Sequence, residues 1–136
     1  MENTDCIFCK IIKGEIPSTK VYEDDKVLAF LDIAPVNIGH TLVIPKEHYR
    51  NMLETPDETM LDVIKVGKRI GNALRKNGVP GITASLNNEA DGGQTVFHTH
   101  LHIMPRSKDD GHKLWDTKQY QEGEKEEMAK KISAGL

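Results

Sequence analysis

The chain has 136 residues, enough for one domain with a hydrophobic core. Its 18 basic and 21 acidic side chains give a net charge of −3, and only 5% of the residues are aromatic, which argues against nucleic acid as the main partner. The sequence has no apolar run long enough to cross a membrane, and it begins with acidic residues where a secretion signal would be basic, so we expect a single cytoplasmic domain over residues 1–136.

Apolar spacing in the first third of the chain predicts one short helix and two strands. Ile7 and Ile11 lie one helical turn apart, as do their following neighbours, and Gly14 is a suitable helix stop. Residues 26–33 and 39–45 are rich in Val, Leu and Ile, and the loop between them contains proline and asparagine. These two segments are expected to pair as antiparallel strands.

The remaining elements are one long helix, two strands and a tail. Apolar residues recur at helical spacing between residues 57 and 77 before glycine and proline end the pattern, namely at Met60, Val63, Ile64, Ile70, Ala73 and Leu74. Residues 82–88 and 97–104 read as strands joined by the turn-forming residues 89–93. From Gly123 the tail predicts only a weak helix. Strands grouped with few helices indicate an α+β fold, with an antiparallel sheet, one main helix and short terminal helices.

Three histidines alternate within the segment 97–104. In a strand, His98, His100 and His102 would share one face, while the apolar residues Phe97, Leu101 and Ile103 would pack inward. Neighbouring imidazoles would stand about 6.6 to 7 Å apart, close enough for one phosphoryl group to touch two of them. An imidazole titrates near pH 6.5, so its neutral and cationic forms are both accessible. A zinc site is the alternative, because a His-x-His pair can ligate this metal.

The segment 91–95, Asp-Gly-Gly-Gln-Thr, directly precedes the histidines. Its main-chain N–H groups, amide and hydroxyl could cradle phosphate oxygens. Alone it would be an ordinary hairpin loop. Beside the histidines it predicts a phosphate site that carries its own nucleophile.

Residues 92–104, which contain His-Thr-His-Leu-His-Ile-Met, resemble the signature of the histidine triad family. The similarity covers most of residues 5–106, and the segment 107–136 matches less clearly. It is strongest in three further stretches, at residues 6–12, 28–35 and 39–48.

This resemblance implies a nucleotide hydrolase or transferase. Such an enzyme cleaves at the α-phosphorus of nucleoside phosphoramidates or dinucleoside polyphosphates, without an organic cofactor, as a homodimer whose sheet continues across the interface. By resemblance, His100 attacks phosphorus and forms a nucleotidyl-histidine intermediate. His102 donates to a non-bridging oxygen, His98 completes the triad, and His40 is a fourth histidine that supports it.

The resemblance also implies a nucleotide-binding set. Asp32 would accept the ribose hydroxyls, and Asn87, Gln94 and Thr95 would contact the phosphate and the leaving group, with Thr95 standing where serine is usual. The base pocket would consist of Ile7, Phe8, Phe30, Ile33 and Leu42. The basic residues Lys46 and Arg106, near the motif strands, are expected to be surface residues.

Cys6-x-x-Cys9 supplies half of a zinc site, and two buried inert thiols are the alternative. The zinc-carrying bacterial branch of the family is similar in having both cysteines and a Pro-Lys-x-His histidine. That resemblance implies a structural zinc held by Cys6, Cys9, His48 and His98. The metal would hold His98 rigid and leave His100 free.

Three functions therefore compete. The first is the metal-independent nucleotidyl chemistry, the second a zinc hydrolase that uses the triad as ligands, and the third a nucleotide-binding regulatory or interaction module. The first is favoured over the second because four ligands are available without His100 and His102. The sequence carries little against the third.

Overall fold

A five-stranded antiparallel sheet forms the centre of the protein. The computed structural model describes residues 5–136, so most of the acidic start discussed above, residues 1–4, lies outside the described residues. The sheet order is β1-β2-β3-β5-β4. The strands are β1 (Lys20–Glu23), β2 (Val27–Leu31), β3 (Thr41–Pro45), β4 (Gly81–Ser85) and β5 (Leu101–Arg106).

Within the described residues three helices accompany the sheet, and the predicted α+β fold is confirmed. They are α1 (Ile7–Ile12), α2 (Asp57–Lys76) and α3 (Glu124–Ala134). Short 3-10 turns occur at Met52–Glu54 and Ala90–Gly92. Within residues 5–136 no helix combines the length and the apolar character that crossing a membrane would require.

Alternation along the central strands divides the core into two layers. One layer contains Leu28 and Ile44 from the sheet and Phe8 and Ile11 from α1. The opposite layer packs against α2, with members Val27, Ala29, Val43, Leu101 and Ile103 from the sheet and Val63, Val66 and Ile70 from the helix. Because strand side chains alternate, His102 lies on the α1 face, between two residues of the α2 layer.

The histidine segment differs from the predicted strand. Residues 97–100 form a loop, and β5 begins only at Leu101. The Thr99 N–H donates to the Tyr49 carbonyl at 2.9 Å, which ties this loop to the segment after β3. Phe97 is therefore not a core residue. It is 38% exposed, and the Arg50 guanidinium lies 4.4 Å from its ring centroid.

Two further features of the elements were not apparent from the sequence. Strand β1 was not predicted, because Lys-Val-Tyr-Glu at an edge of the sheet carries no apolar run. On α2, Ile64 and Ala73 are exposed, and the residues that face the sheet include Val66 and Gly67 instead.

Gly67 brings α2 unusually close to β5. A Cβ atom at this position would lie 2.6 Å from Leu101 Cδ2 and 3.4 Å from Ile103 Cδ1. At Gly71, one turn later, the nearest atom would be Ile82 Cγ1 at 4.0 Å. The two glycines therefore form a matched pair on one helix.

We expect Gly67→Ala to lower the free energy of unfolding by about 1 to 3 kcal/mol, because the added methyl overpacks the core. Gly71→Ala should raise it by about 0.5 to 1 kcal/mol through helix propensity alone. Urea unfolding of both variants measures the difference. Equal stabilisation by the two substitutions would show that the contact with Leu101 is not restrictive.

Candidate active site

The alternating histidines are brought together by the loop before β5 and by the strand itself. His98 is fully buried, His100 is buried, and His102 is half-buried on β5. The ring centroids of His100 and His102 are 4.9 Å apart. Phe8 on α1 packs its ring against both His98 and His100, with centroid distances of 5.9 and 5.1 Å.

A main-chain carbonyl determines the proton position on His100. Its Nδ1 atom lies 2.6 Å from the His98 carbonyl oxygen. A carbonyl only accepts, so Nδ1 carries the proton and the neutral ring has its lone pair on Nε2. Burial lowers the pKa of His100, which keeps the ring neutral near pH 7. This imidazole can therefore act as a nucleophile through Nε2.

His40 and His102 form a second ordered pair. The Val36 N–H donates to His40 Nδ1 at 3.0 Å, so neutral His40 carries its proton on Nε2. That Nε2 lies 3.0 Å from His102 Nδ1, which must then accept. Burial lowers the pKa of His40, and burial with the nearby His100 and His40 lowers the pKa of His102 to about 4. Neutral His102 is left with a donor at Nε2.

Four side chains could hold a metal ion. Cys6, Cys9, His48 and His98 place one ligand atom each within 4.8 Å of one another. Cys6 caps α1, and the Cys9 N–H donates to its sulfur at 3.4 Å. His98 Nε2 donates to the Pro45 carbonyl at 2.8 Å, which leaves the Nδ1 lone pair facing the sulfur atoms.

The spacing of these atoms fits a tetrahedral zinc site. The His98 Nδ1 atom lies 3.5 Å from Cys6 Sγ and 3.6 Å from Cys9 Sγ, and Cys9 Sγ lies 3.4 Å from His48 Nδ1. The two Nδ1 atoms are 3.1 Å apart. Ordinary zinc–sulfur and zinc–nitrogen bond lengths give tetrahedral edges of about 3.5 Å for sulfur to nitrogen and about 3.3 Å for nitrogen to nitrogen.

A second group of possible ligands, Asp32, His40 and His102, also lies within 4.8 Å. His40 could ligate there only through Nε2, the nitrogen that carries its proton while Val36 donates to Nδ1. Its hydrogen bonds thus favour proton relay over metal ligation.

A cleft of about 240 Å³ opens beside His100 and His102. It is lined by Asp32, by Thr95 and by every residue predicted for the base pocket, namely Ile7, Phe8, Phe30, Ile33 and Leu42. The sequence did not point to the other lining residues, which include Ile11, Ile16, Pro17, Ser18 and Val96. Three of these follow α1 in a stretch with no recognised motif, and apart from Ser18 only their apolar character could have suggested them.

Asn87 lies outside this cleft, in a neighbouring one of about 490 Å³ that shares His102. Its amide donates to the Gly93 carbonyl at 3.3 Å.

The Gln94 side-chain amide is hydrogen-bonded to main-chain groups. Its side-chain oxygen accepts from the Glu89 N–H at 2.8 Å, and its nitrogen donates to the carbonyls of Arg50 at 2.6 Å and Val96 at 3.1 Å. Both amide hydrogens are thus used, and the side chain is buried. These contacts hold the loop before the histidines, and a contact between Gln94 and phosphate stays a prediction.

A model of the HIT domain, the histidine triad domain, matches residues 13–109. The chain belongs to the HIT family. It is 56% identical over 112 residues to an uncharacterized HIT-like protein of Borreliella burgdorferi, covering 79% of each chain. A crystal structure of a HIT family member from Bacillus subtilis superimposes with a TM-score of 0.88 at 42% identity, over 97% of both chains.

Two relatives within the HIT family carry names of activities. The adenosine 5′-monophosphoramidase hnt1 of Schizosaccharomyces pombe is 44% identical over 105 residues, which are 77% of each chain. The adenylylsulfatase HINT3 of Arabidopsis thaliana is 46% identical over 107 residues, covering 78% of this chain and 54% of that protein. The family thus includes nucleotide hydrolases.

Gln94→Ala should lower the free energy of unfolding by about 2 kcal/mol, because it leaves two carbonyls and one N–H without their partner. Thr95→Ala, at an exposed side chain, should change it by no more than about 0.5 kcal/mol. Urea unfolding compares the two. Unchanged stability of Gln94→Ala together with weaker binding of a nucleoside monophosphate would place this side chain in the phosphate site.

Proposed function

We propose that this HIT protein is a nucleotidyl hydrolase or transferase that cleaves at the α-phosphorus of nucleoside phosphoramidates or dinucleoside polyphosphates. The observation that carries the proposal is the contact between His100 Nδ1 and the His98 carbonyl, from which the proton position on the ring follows. The Nδ1–H of His100 is held by the His98 carbonyl at 2.6 Å, and the ring lines the apolar cleft beside Asp32. The relatives named as a phosphoramidase and an adenylylsulfatase give it further support.

The reaction proceeds in two displacements. His100 Nε2 attacks the α-phosphorus, the bond to the leaving nitrogen or oxygen breaks, and the leaving group takes a proton from water. Water then attacks the same phosphorus and releases a proton, which neutralises the hydroxide left by the first step. The phosphorus–nitrogen bond breaks with its electron pair returning to His100 Nε2, and the nucleoside monophosphate departs. The covalent intermediate replaces one difficult displacement by two easier ones. His102 Nε2–H donates to a non-bridging oxygen, where negative charge develops.

The nucleotide lies in the cleft beside the histidines. Asp32 accepts the ribose hydroxyls. Among residues 5–136, one of its carboxylate oxygens accepts from the Ala34 N–H at 2.9 Å and the other lies 3.6 Å from His40 Nε2, which leaves acceptor capacity on both oxygens. The base contacts the apolar walls, and Thr95 and Asn87 contact the phosphate and the leaving group. Gln94 contributes by holding the loop that presents Thr95.

A structural zinc ion is part of the proposal. Cys6, Cys9, His48 and His98 would hold it, and its chemistry is to fix the position of His98. The sulfur and nitrogen spacings support this assignment, and so does the Nδ1 lone pair that the Pro45 carbonyl leaves free on His98. Neither His100 nor His102 is needed as a ligand. The zinc-hydrolase alternative is less well supported, because His98 turns its free Nδ1 atom toward Cys6, Cys9 and His48, and the Nδ1 atom of His102 accepts from His40.

The active unit is a homodimer. Strand β4 forms an edge of the sheet, and an edge strand leaves N–H and C=O groups available for pairing. On the neighbouring helix α2, Leu61 and Ile64 are 52% and 39% exposed. A second copy that presents the same edge would extend the sheet and cover these side chains.

The first prediction concerns the intermediate. Mixing the protein with an adenosine phosphoramidate and quenching in base should leave a nucleotidyl adduct on the peptide that contains His100, detected by mass spectrometry. His100→Ala should lose the adduct and a factor of about a thousand or more in rate, because the nucleophile is gone. Calorimetry should show nearly unchanged affinity for the nucleoside monophosphate. Near-native turnover by His100→Ala would exclude this imidazole as the nucleophile.

The second prediction concerns the metal. Elemental analysis of freshly purified protein should find close to one zinc per chain. Cys6→Ser should lose the zinc, whereas His100→Ala should retain it, because the nucleophile is not a ligand. Zinc lost with His100→Ala would favour a catalytic metal in the triad. Freshly purified wild-type protein without zinc would leave Cys6 and Cys9 as buried thiols of the core.

A further inference from the structure

The turn that follows β5 is tied to the loop that precedes His40. Asp110 is the centre of this contact. Its carboxylate accepts from Arg106 Nε at 2.7 Å, from Asn37 Nδ2 at 3.0 Å and from the His112 N–H at 3.0 Å. Asn37 Nδ2 also donates to the Pro105 carbonyl at 2.8 Å. The turn and the loop are therefore joined by charge-assisted hydrogen bonds, the stronger class of such bonds.

The conformation of this turn depends on those contacts. Asp109 has a φ of 62° and Gly111 a φ of 86°, and a left-handed φ is costly for a residue with a side chain such as Asp109. The side chain of Asp110 is only 6% exposed. The Arg106 guanidinium holds the pKa of the Asp110 carboxyl well below its usual range, so the carboxylate stays charged.

Val36 receives contacts from both sides of the loop. His112 Nε2 donates to the Val36 carbonyl at 2.9 Å, and the Val36 N–H donates to His40 Nδ1 at 3.0 Å. Arg106 in turn donates to the His112 carbonyl at 3.0 Å. The hydrogen bond that keeps the His40 proton on Nε2 is therefore made by Val36, and His112 holds the backbone of Val36.

We propose that Asp110 and His112 are positioning residues, which hold Val36 so that His40 keeps its proton on Nε2 and His102 in turn keeps its proton on the Nε2 that faces substrate. This inference rests on the proposed function for its effect on rate. Neither residue lines the cleft beside His100 in which the nucleotide is placed. If Val36 rotates, His40 Nδ1 loses its donor and the ring can adopt either tautomer. His102 then carries a proton on Nδ1 in part of the molecules and cannot donate to the phosphate.

Two variants of His112 separate positioning from bulk. His112→Phe keeps a ring and removes the donor, and His112→Gln keeps an N–H donor at a similar reach. We expect His112→Phe to lower kcat about tenfold and to change KM by less than about twofold. A loss of this size is typical when a residue that orients a functional histidine is removed. His112→Gln should recover to within about threefold of the wild type. Lys108→Ala, an exposed residue of the same turn, is the matched control and should leave kcat unchanged.

The second measurement reports protons directly and needs no substrate. Long-range ¹H–¹⁵N spectra of the zinc-loaded protein should show His40 and His102 protonated on Nε2 in the wild type and in Lys108→Ala. In His112→Phe both rings should show partial protonation on Nδ1. Unchanged tautomers in a folded His112→Phe would overturn the inference, whatever happens to the rate. A wild-type protein inactive on phosphoramidates would refute the proposed function. The tautomers of His40 and His102 in His112→Phe would still decide whether Asp110 and His112 are positioning residues.

Discussion

His98 is completely buried, and a buried imidazole needs a partner for each ring nitrogen, because an unpaired polar atom costs about 1 to 3 kcal/mol. The Pro45 carbonyl accepts from His98 Nε2, and His98 Nδ1 is left to face the two sulfur atoms and His48. The main-chain oxygen of His98 accepts a hydrogen bond from His100 Nδ1. The geometry of the possible metal site and the proton position on His100 thus both depend on the position of His98.

Main-chain groups orient three of the histidines of this site. The Pro45 carbonyl orients His98, the His98 carbonyl orients His100, and the Val36 N–H orients His40. Peptide groups do not titrate in the physiological range, so the tautomers they select do not change as pH varies near neutrality. Burial adds to this effect, since it lowers the pKa of each of these imidazoles. The result is a set of neutral rings with defined donors and acceptors.

The sequence predicted correctly the structural features that depend on local periodicity and on side-chain type. Leu101 and Ile103 are buried as expected, because alternation in a strand is a local property. The prediction for Phe97 was wrong because its loop is anchored through Thr99 to Tyr49, 50 residues earlier in the chain. Such a contact leaves no trace in the spacing of apolar residues.

The sequence also failed to predict the contacts of polar residues whose partners are distant along the chain. Gln94 bonds to main-chain groups of Glu89, Arg50 and Val96, which any residue type could have supplied. Arg106 was expected at the surface, yet its side chain is 19% exposed and pairs with Asp110. The cleft, in contrast, contains all the predicted apolar residues, since the family motif identifies them jointly.

Helix α1 has only six residues, whereas an isolated helix in water needs about 12 to 15 to be even marginally stable. It is therefore ordered by what its two faces touch. Cys6 and Cys9 face the histidine cluster, and Ile7, Phe8 and Ile11 line the cleft. An ion on one face and a nucleobase on the other would each order the helix for the other ligand. Two sites that share no ligand atom would then be thermodynamically linked, with the same coupling free energy in both directions.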